Sequence, residues 1–465
     1  MPRPSFDPRR SSSASAALAV GVLAGLCALP ALAQAPDNSA LQRQIDDAFR
    51  QVLSTPGDLQ IGLAYARLQV QAGNYEGAIA AMERMLLVPD APASVRLELG
   101  ILYFRLASYA MAEAYLRQAA ADPRLPPEQK DLANRMLKET IRQNQPNRLT
   151  GYVMAGVRGQ TNPTTRTEED FLKSGGALVP RTASQKPKSD TDFQVIGRLE
   201  HTWDLETQNS AEIVSTLFGV ATHYSSVSSY TLTANPTKPR DLLLVEGTTG
   251  LRFKPAPAEA SGWTVRPHLI LGNILLDGHQ YAYSVGAGLE TSYQVSERLL
   301  LNAAYEGRNY TYASRIDVSE AKAQGGFEHT LRMRASYELF PRNILVGELI
   351  GRDHNADRDY FAYVSGEARL SYVASYDNPF GWDNQLWTSV LSSGITERRY
   401  DGADAKIDAG RRRNDTEWRT SLNTTIPLNE SWSVLLQGEY TKASSNLPNY
   451  NYSNTSGLAS IMWRF

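Results

Sequence analysis

The chain has 465 residues, 42% of them hydrophobic, with 23 Tyr, 7 Trp, a single Cys and a formal net charge of −2. That length admits two domains, and the near-neutral balance excludes both a nucleic-acid footprint and an acidic tail, so no nucleic-acid partner is expected. After the first thirty residues no apolar run approaches the 18 or so that a spanning helix requires.

The opening residues read as a secretory signal over 1–33. Arg3, Arg9 and Arg10 form a positive n-region, Ala16 to Leu29 an apolar h-region, and Ala31-Leu32-Ala33 a small-residue cleavage site, which predicts a mature start at Gln34. Cys27 falls inside this segment behind Leu26, where a lipoprotein signal would carry a small residue, so the mature chain is expected to be cysteine-free and without disulfides. Losing the signal leaves 44 basic and 48 acidic residues.

Residues 34–147 predict a helical domain. From 41 to 145 the chain is rich in Ala, Leu, Arg, Gln and Glu, which favour helix. It also repeats: Gly73-Asn74-Tyr75 recurs as Ala107-Ser108-Tyr109, Ala78 as Ala112, Met85 as Ala119 and Pro89 as Pro123, each 34 residues on. That period resembles the tetratricopeptide repeat, a helix–turn–helix unit, and Leu99-Gly100, Tyr103 and Ala112 fit its pattern. Leu41 to Leu53 reads as a lead-in helix and Pro127 to Gln143 as a cap, with Pro89 and Pro123 ending the second helix of each unit. Such arrays present a groove lined by the first helix of each unit. Gln60, Arg67, Gln71, Ser94 and Arg105 are its polar candidates for binding a client protein, although each also suits an ordinary solvated helix face.

After Pro146-Asn147 the helical period gives way to alternation with period two. Fourteen segments follow, the first near 149–158 and the last near 452–465, which places a second domain over 148–465. In Phe327 to Leu339, Phe327, Leu331, Met333, Ala335, Tyr337 and Leu339 share one face, broken by His329, while Glu328, Thr330, Arg332, Arg334, Ser336 and Glu338 share the other. A soluble sheet would need a partner layer for fourteen apolar faces, and no helices remain to supply it. In a transmembrane antiparallel barrel the apolar faces meet lipid and the polar faces fill the lumen. The connections 205–210, 255–262, 294–297, 340–342 and 429–431 are short, whereas 159–191, 224–240, 311–325 and 401–412 are long. This matches periplasmic turns and outer loops, with the helical domain in the periplasm. The fold class expected is therefore α+β multidomain: tetratricopeptide-type helices followed by a barrel of about 14 strands.

The last strand, Ser456 to Phe465, puts Gly457, Ala459, Ile461, Trp463 and Phe465 on one face. A terminal aromatic on such a strand resembles the closing strand of an outer-membrane barrel, with Trp463 and Phe465 as the signal read by the barrel-assembly machinery. The inward charges Arg198, Glu200, Glu328, Arg332, Glu367 and Arg369 predict ion-pair ladders in the lumen. The six histidines lie in separate segments, and neither H-E-x-x-H nor G-x-S-x-G occurs. No enzyme, catalytic residue, metal or cofactor is expected.

This arrangement resembles the surface lipoprotein assembly modulator (Slam) family, also described as type XI secretion outer-membrane proteins. Local matches are Gly156-Val157-Arg158-Gly159-Gln160-Thr161-Asn162-Pro163, Tyr440-Thr441-Lys442, Ser445-Asn446-Leu447-Pro448, Tyr452-Ser453-Asn454 and Trp463-Arg464-Phe465, with Arg412 and Asp415 at a strand start. The resemblance implies export or display of a specific client, a surface lipoprotein or a soluble haemophore-like protein, across the outer membrane. It also implies outer-membrane lipid, the client and the assembly machinery as partners. A polysaccharide export pore joining such repeats to a barrel, or a general porin, are the alternatives.

Overall fold

The computed structural model describes residues 39–88, 91–207, 209–226, 239–315, 318, 320–381 and 385–465. The expected signal over 1–33, Cys27 within it, and the expected helix terminator Pro89 lie outside the described residues. The chain divides into two compact units that meet between Gln145 and Pro146.

Among the described residues the first unit holds six helices: α1 (Ser39–Ser54), α2 (Leu59–Gln71), α3 (Tyr75–Met85), α4 (Ala93–Arg105), α5 (Tyr109–Ala121) and α6 (Pro127–Asn144). The starts of α4 and α5 fall 34 residues after those of α2 and α3. The turns repeat as well. Gly73 N–H donates to Val70 O (3.1 Å) and Asn74 N–H to Gln69 O (2.9 Å), as Ala107 does to Phe104 O (3.0 Å) and Ser108 to Tyr103 O (2.9 Å). This helix stop needs a left-handed residue, which Gly73 supplies at φ 76° and Ala107 at φ 56°. Only the glycine adopts that conformation without a Cβ clash.

Caps start the helices: Asp58 Oδ1 accepts from the N–H groups of Gln60 (2.9 Å) and Ile61 (3.2 Å), and Asn74 Oδ1 from Gly77 (3.0 Å). Ala66, Ala78, Ala112 and Ala119 are fully buried, so the helices approach closely around Met82, Leu99 and Leu116. Each of these three larger side chains contributes about 1.5–3 kcal/mol by leaving water. A Cβ at Gly100 would stand 2.5 Å from Leu116 Cγ. One polar lock spans α3, α4 and α5: the Tyr103 and Tyr115 hydroxyls both donate to Glu83 Oε1, at 2.7 and 3.0 Å, with the rings stacked 5.5 Å apart.

Among the described residues the second unit is a closed barrel of fourteen antiparallel strands. They are β1 (Asn147–Gln160), β4 (Asp190–Asp204), β5 (Glu212–Tyr224), β6 (Leu242–Arg252), β7 (Trp263–Leu276), β8 (His279–Ser296), β9 (Leu299–Tyr312), β10 (Gly326–Phe340), β11 (Asn343–Ala356), β12 (Tyr363–Asp377), β13 (Leu386–Tyr400), β14 (Asn414–Pro427), β15 (Trp432–Ser445) and β16 (Tyr452–Arg464). A separate hairpin, β2 (Phe171–Ser174) and β3 (Ala177–Pro180), rises from the first loop. Sequence neighbours pair throughout, and β1 closes the ring against β16 with Tyr152 opposite Arg464 and Gln160 opposite Ser456. The seam runs to the last residue: Gly151 N–H donates to Phe465 O (3.0 Å) and Phe465 N–H to Gly151 O (3.1 Å). A Cβ at Gly151 would lie 2.5 Å from Arg198 O and 3.0 Å from the Phe465 ring, so glycine lets the strands meet there.

The two faces alternate as the pattern predicts. On β10 Leu331 is 42% exposed and Thr330 8%. Exposed Trp203, Trp263, Tyr293, Trp432 and Trp463 sit near strand ends on the rim that carries both chain termini of the barrel, an aromatic belt at one interface. No helix among the described residues is long and apolar enough to cross a membrane.

The expected loop alternation holds in part: the far-rim connections 357–362 and 446–451 are shorter than 253–262 and 378–385 on the near rim. On the far rim, 161–189, 225–241, 313–325 and 401–413 are long, yet β7 and β8 join there through Asp277-Gly278 alone. Both residues have positive φ (51° and 74°), the geometry of a two-residue Asp-Gly hairpin. Pairing slips between Ile274 and Leu275, where Tyr281 on β8 is left over, so the alternation breaks just after the turn.

Candidate functional site

Period two sends alternate side chains into the lumen, and the inward set is charged. On β10–β12 a chain of ion pairs runs from Arg332 to Glu348 (3.8 Å), Glu348 to Arg369 (3.6 Å), Arg369 to Glu367, and Glu367 to Arg352 (3.5 Å). On β14 and β15, Arg413 pairs with Asp415 (2.6 Å) and Arg419 with Glu417 (2.8 Å) and Glu439 (4.0 Å). Across the ring Arg158 meets Asp192 (3.1 Å), Arg148 and Arg252 share Glu212, and Arg198 meets Glu200 (3.2 Å). The expected ladders therefore exist, with Glu328 facing His354 at 3.7 Å as a further rung. Asp415 lies at the start of β14, where Arg413 pairs with it because positions two apart share a face.

Inward glycines thin one part of the wall. A Cβ at Gly286 would stand 2.8 Å from Arg308 Cγ, and one at Gly288 would stand 2.6 Å from the His268 ring. With those positions bare, Arg308 lies along the wall to reach both Glu306 (2.7 Å) and Glu246. His268, Glu290 and Glu306 bring potential ligand atoms within 4.8 Å of one another. Yet Arg266 is 3.0 Å from Glu290 and Arg308 is 2.7 Å from Glu306, so both carboxylates are already neutralised and a cation there would face two guanidiniums. The cluster is a lumen brace, not a metal centre.

The loop rim is interlocked. The β2–β3 tip turns on Gly175 and Gly176, whose N–H groups donate to Lys406 O and Ile407 O (both 2.8 Å) in the short helix α7 (Ala405–Asp408). Lys173 pairs with Asp408 (3.2 Å), and its backbone exchanges hydrogen bonds with the Asn449 amide (2.8 and 3.0 Å). Lys406 reaches Glu320 (2.8 Å), which also accepts from Tyr360 Oη (2.6 Å). Five loops are thus tied together. The Lys173 and Lys406 ammonium groups hold the Asp408 and Glu320 carboxyls below their ordinary range.

In the helical unit the groove candidates separate. Arg67 on α2 lies 3.8 Å from Glu98 on α4, linking the first helices of both units. Burial pushes the Glu98 carboxyl up against the pull of Arg67. Arg105 instead turns to α3, its guanidinium 5.7 Å over the Tyr75 ring. Gln60 and Gln71 are exposed at the two ends of α2, and Ser94 is half-buried in the first turn of α4. None of the five touches another by hydrogen bond, ion pair or ring contact among the described residues. Glu98 escaped the sequence reading; its signal was an opposite charge 31 residues after Arg67, close to one repeat. The β2–β3 hairpin escaped too, although Gly-Gly between Phe171-Leu172 and Leu178-Val179 marks a tight turn.

Trp463 faces outward on β16, its ring 4.5 Å from Phe465 and 6.3 Å from Trp432, in a row of three aromatics at the terminal rim. Residues 248–465, from within β6 to the chain end, match the family model described as surface lipoprotein assembly modifier. Over this region the chain is similar to the surface lipoprotein assembly modifier family. The chain is accordingly an outer-membrane β-barrel protein, with a fold and family that are not those of an enzyme class. The family match leaves the helical unit, β1, β4 and β5 outside it.

No curated protein matches the chain. Among solved structures it is similar to a bacterial polysaccharide outer membrane secretin (10% identity, 67% of this chain and 98% of that one, TM-score 0.33). It is also similar to an anion-selective porin from Comamonas acidovorans (11% identity, 69% and 99%, TM-score 0.34). It is similar as well to the Yersinia enterocolitica type III secretion chaperone SycD in complex with a peptide of the translocator YopD (15% identity, 23% of this chain and 85% of that one, TM-score 0.22).

Proposed function

We propose that the protein exports or displays a specific client protein across the outer membrane, the client being a surface lipoprotein or a soluble haemophore-like protein. The observation that carries this reading is the surface lipoprotein assembly modifier match over 248–465, which lies on a closed barrel with a charged, ion-paired lumen. The helical unit adds what a plain pore would not need, a two-unit repeat whose first helices are linked by Arg67 and Glu98. In this reading the helical unit lies in the periplasm and captures the client through the face bearing Gln60, Arg67, Gln71, Ser94 and Arg105, while the loop rim faces outward. Trp463 and Phe465 serve the barrel-assembly machinery on the way to the membrane. Nothing in the lumen hydrolyses a nucleotide in this scheme; folding or capture of the client outside supplies the driving force.

The test is co-expression with a secreted protein or lipoprotein encoded beside it. Intact cells are then treated with protease, and the client is followed by immunoblot. Client degraded on the surface, or recovered from the medium, only when the barrel is present supports the reading. Equal exposure without the barrel contradicts it.

A further inference from the structure

We propose that the lumen contains a binding site for a compact oxyanion, a phosphate or a carboxylate, held by Arg352 and Arg398 on either side of Ser365. The inference starts from the rows that cross the strands. One row reads Arg334 on β10, Glu348 on β11 and Arg369 on β12, so a carboxylate stands between two guanidiniums. Two inward rows along, past Ile350, Glu367 and Thr396, the row reads Arg352 on β11, Ser365 on β12 and Arg398 on β13. Here a serine occupies the place of the carboxylate.

The carboxylates around this row are already taken by other arginines. A cavity of about 200 Å³ opens at this row, lined by Arg352, Arg369, Arg398, Arg413 and Arg419 against Glu367, Asp415 and Glu417. All three carboxylates are engaged: Glu367 by Arg352 and Arg369, Asp415 by Arg413, Glu417 by Arg419. Arg398 stands opposite Asp415 on the next strand, but Arg413 takes both of its oxygens (3.0 and 2.6 Å). Arg398 is left with the Tyr363 ring, 5.0 Å from its guanidinium, and with Tyr400. It forms no ion pair, and its Nε has no hydrogen-bond partner among the described residues.

Arg369 and Arg419 also pair with Glu348 and Glu439 outside the cavity, so Arg398 is the guanidinium left without a carboxylate, among the cavity's other guanidiniums, in a confined space where charges interact more strongly than in water. An incoming oxyanion relieves that repulsion, and the planar forks of arginine suit its two or three oxygens. The cavity of about 200 Å³ has room for a phosphate or small carboxylate with its waters. Tyr450, stacked 3.4 Å from the Arg413 guanidinium, brings the interlocked rim down to the same cavity.

The test uses the purified full-length protein, folded in detergent. Its thermal midpoint is followed against inorganic phosphate, and separately against succinate, with chloride holding ionic strength constant. A saturable rise with either anion is expected, the stronger of the two naming the preferred group. Arg398→Gln should weaken the apparent affinity at least tenfold, about 1.4 kcal/mol. Arg334→Gln, an inward arginine outside the cavity, should leave the response intact. Ser365→Asp supplies the missing carboxylate: it should raise the ligand-free midpoint and weaken the anion response by a similar factor. That variant keeps the test decisive if Arg398→Gln does not fold. No saturable rise with either anion, or a wild-type response in Ser365→Asp, overturns the proposal.

Discussion

At the scale of single residues the barrel is a test of parity, because one step along a strand exchanges lipid for lumen. Leu331 faces out and Arg332 faces in, 3.8 Å from Glu348. Leu331→Arg should destabilise the barrel by about 2–4 kcal/mol near the midplane. Arg332→Leu removes one loose rung and should cost less than about 1 kcal/mol. Reversible unfolding from lipid vesicles checks both, and equal costs would show that the faces are misassigned. This parity was legible in the sequence because Phe327 to Leu339 alternates through thirteen residues with only His329 out of place. The Arg398 environment was not legible. Which guanidinium claims Asp415 depends on strand pairing and side-chain reach, and Arg411-Arg412-Arg413 offers three candidates in the sequence. The left-handed turn at Ala107 was partly hidden as well. Its equivalent Gly73 announces the geometry, whereas alanine adopts it only because the repeated turn around it imposes it.

Elements show why some boundaries were readable and others were not. The helix starts repeat at 34 residues because each unit packs the same small residues, Ala66 with Gly100 and Ala78 with Ala112, at the same contacts. The lock between α3, α4 and α5 was invisible in the sequence: Glu83, Tyr103 and Tyr115 converge only after the helices pack. It makes a pH prediction. Burial, and then the hydrogen bond to Glu83, push the Tyr103 hydroxyl up to about 12, and burial raises Tyr115. A pKa raised above the unfolded value of about 10 means stability that is complete below pH 10 and lost as the pH rises from about 10 to about 12. The urea midpoint of the helical circular-dichroism signal should fall across that window, and the slope should flatten in Tyr103→Phe/Tyr115→Phe. A wild-type midpoint that stays level from pH 10 to 12 would show that the lock contributes nothing. At the other end of the chain, deleting Phe465 removes two seam hydrogen bonds, while Phe465→Ala removes only the ring beside Trp463. Both should lower the yield of heat-modifiable barrel in outer-membrane fractions, the deletion more. Normal yields from both would contradict an assembly role. Among the connections, Asp277-Gly278 stayed obscure because the register slip at Ile274/Leu275 interrupts alternation just where the turn must be read.

For the molecule as a whole, the chain falls into two compact units that divide between Gln145 and Pro146. Each has its own stabilising contacts: helix packing around Met82, Leu99 and Leu116 in one, a hydrogen-bonded ring in the other. A chain lacking 41–145 should therefore still give a folded barrel, and client export should fall if the repeat performs capture. Charge reversal at Arg67 or at Glu98 should weaken client binding to the full-length protein, whereas reversal at Arg105, held over Tyr75, should do so less. Full export by the truncated barrel would leave the repeat a spacer. The export claim itself is tested most directly by reconstitution. The purified protein is placed in liposomes, the client is added on the helical side, and the protease-protected fraction is measured over time. The account predicts protection that grows only in vesicles containing the protein. Client that stays fully digestible, or is protected equally in protein-free vesicles, would contradict it.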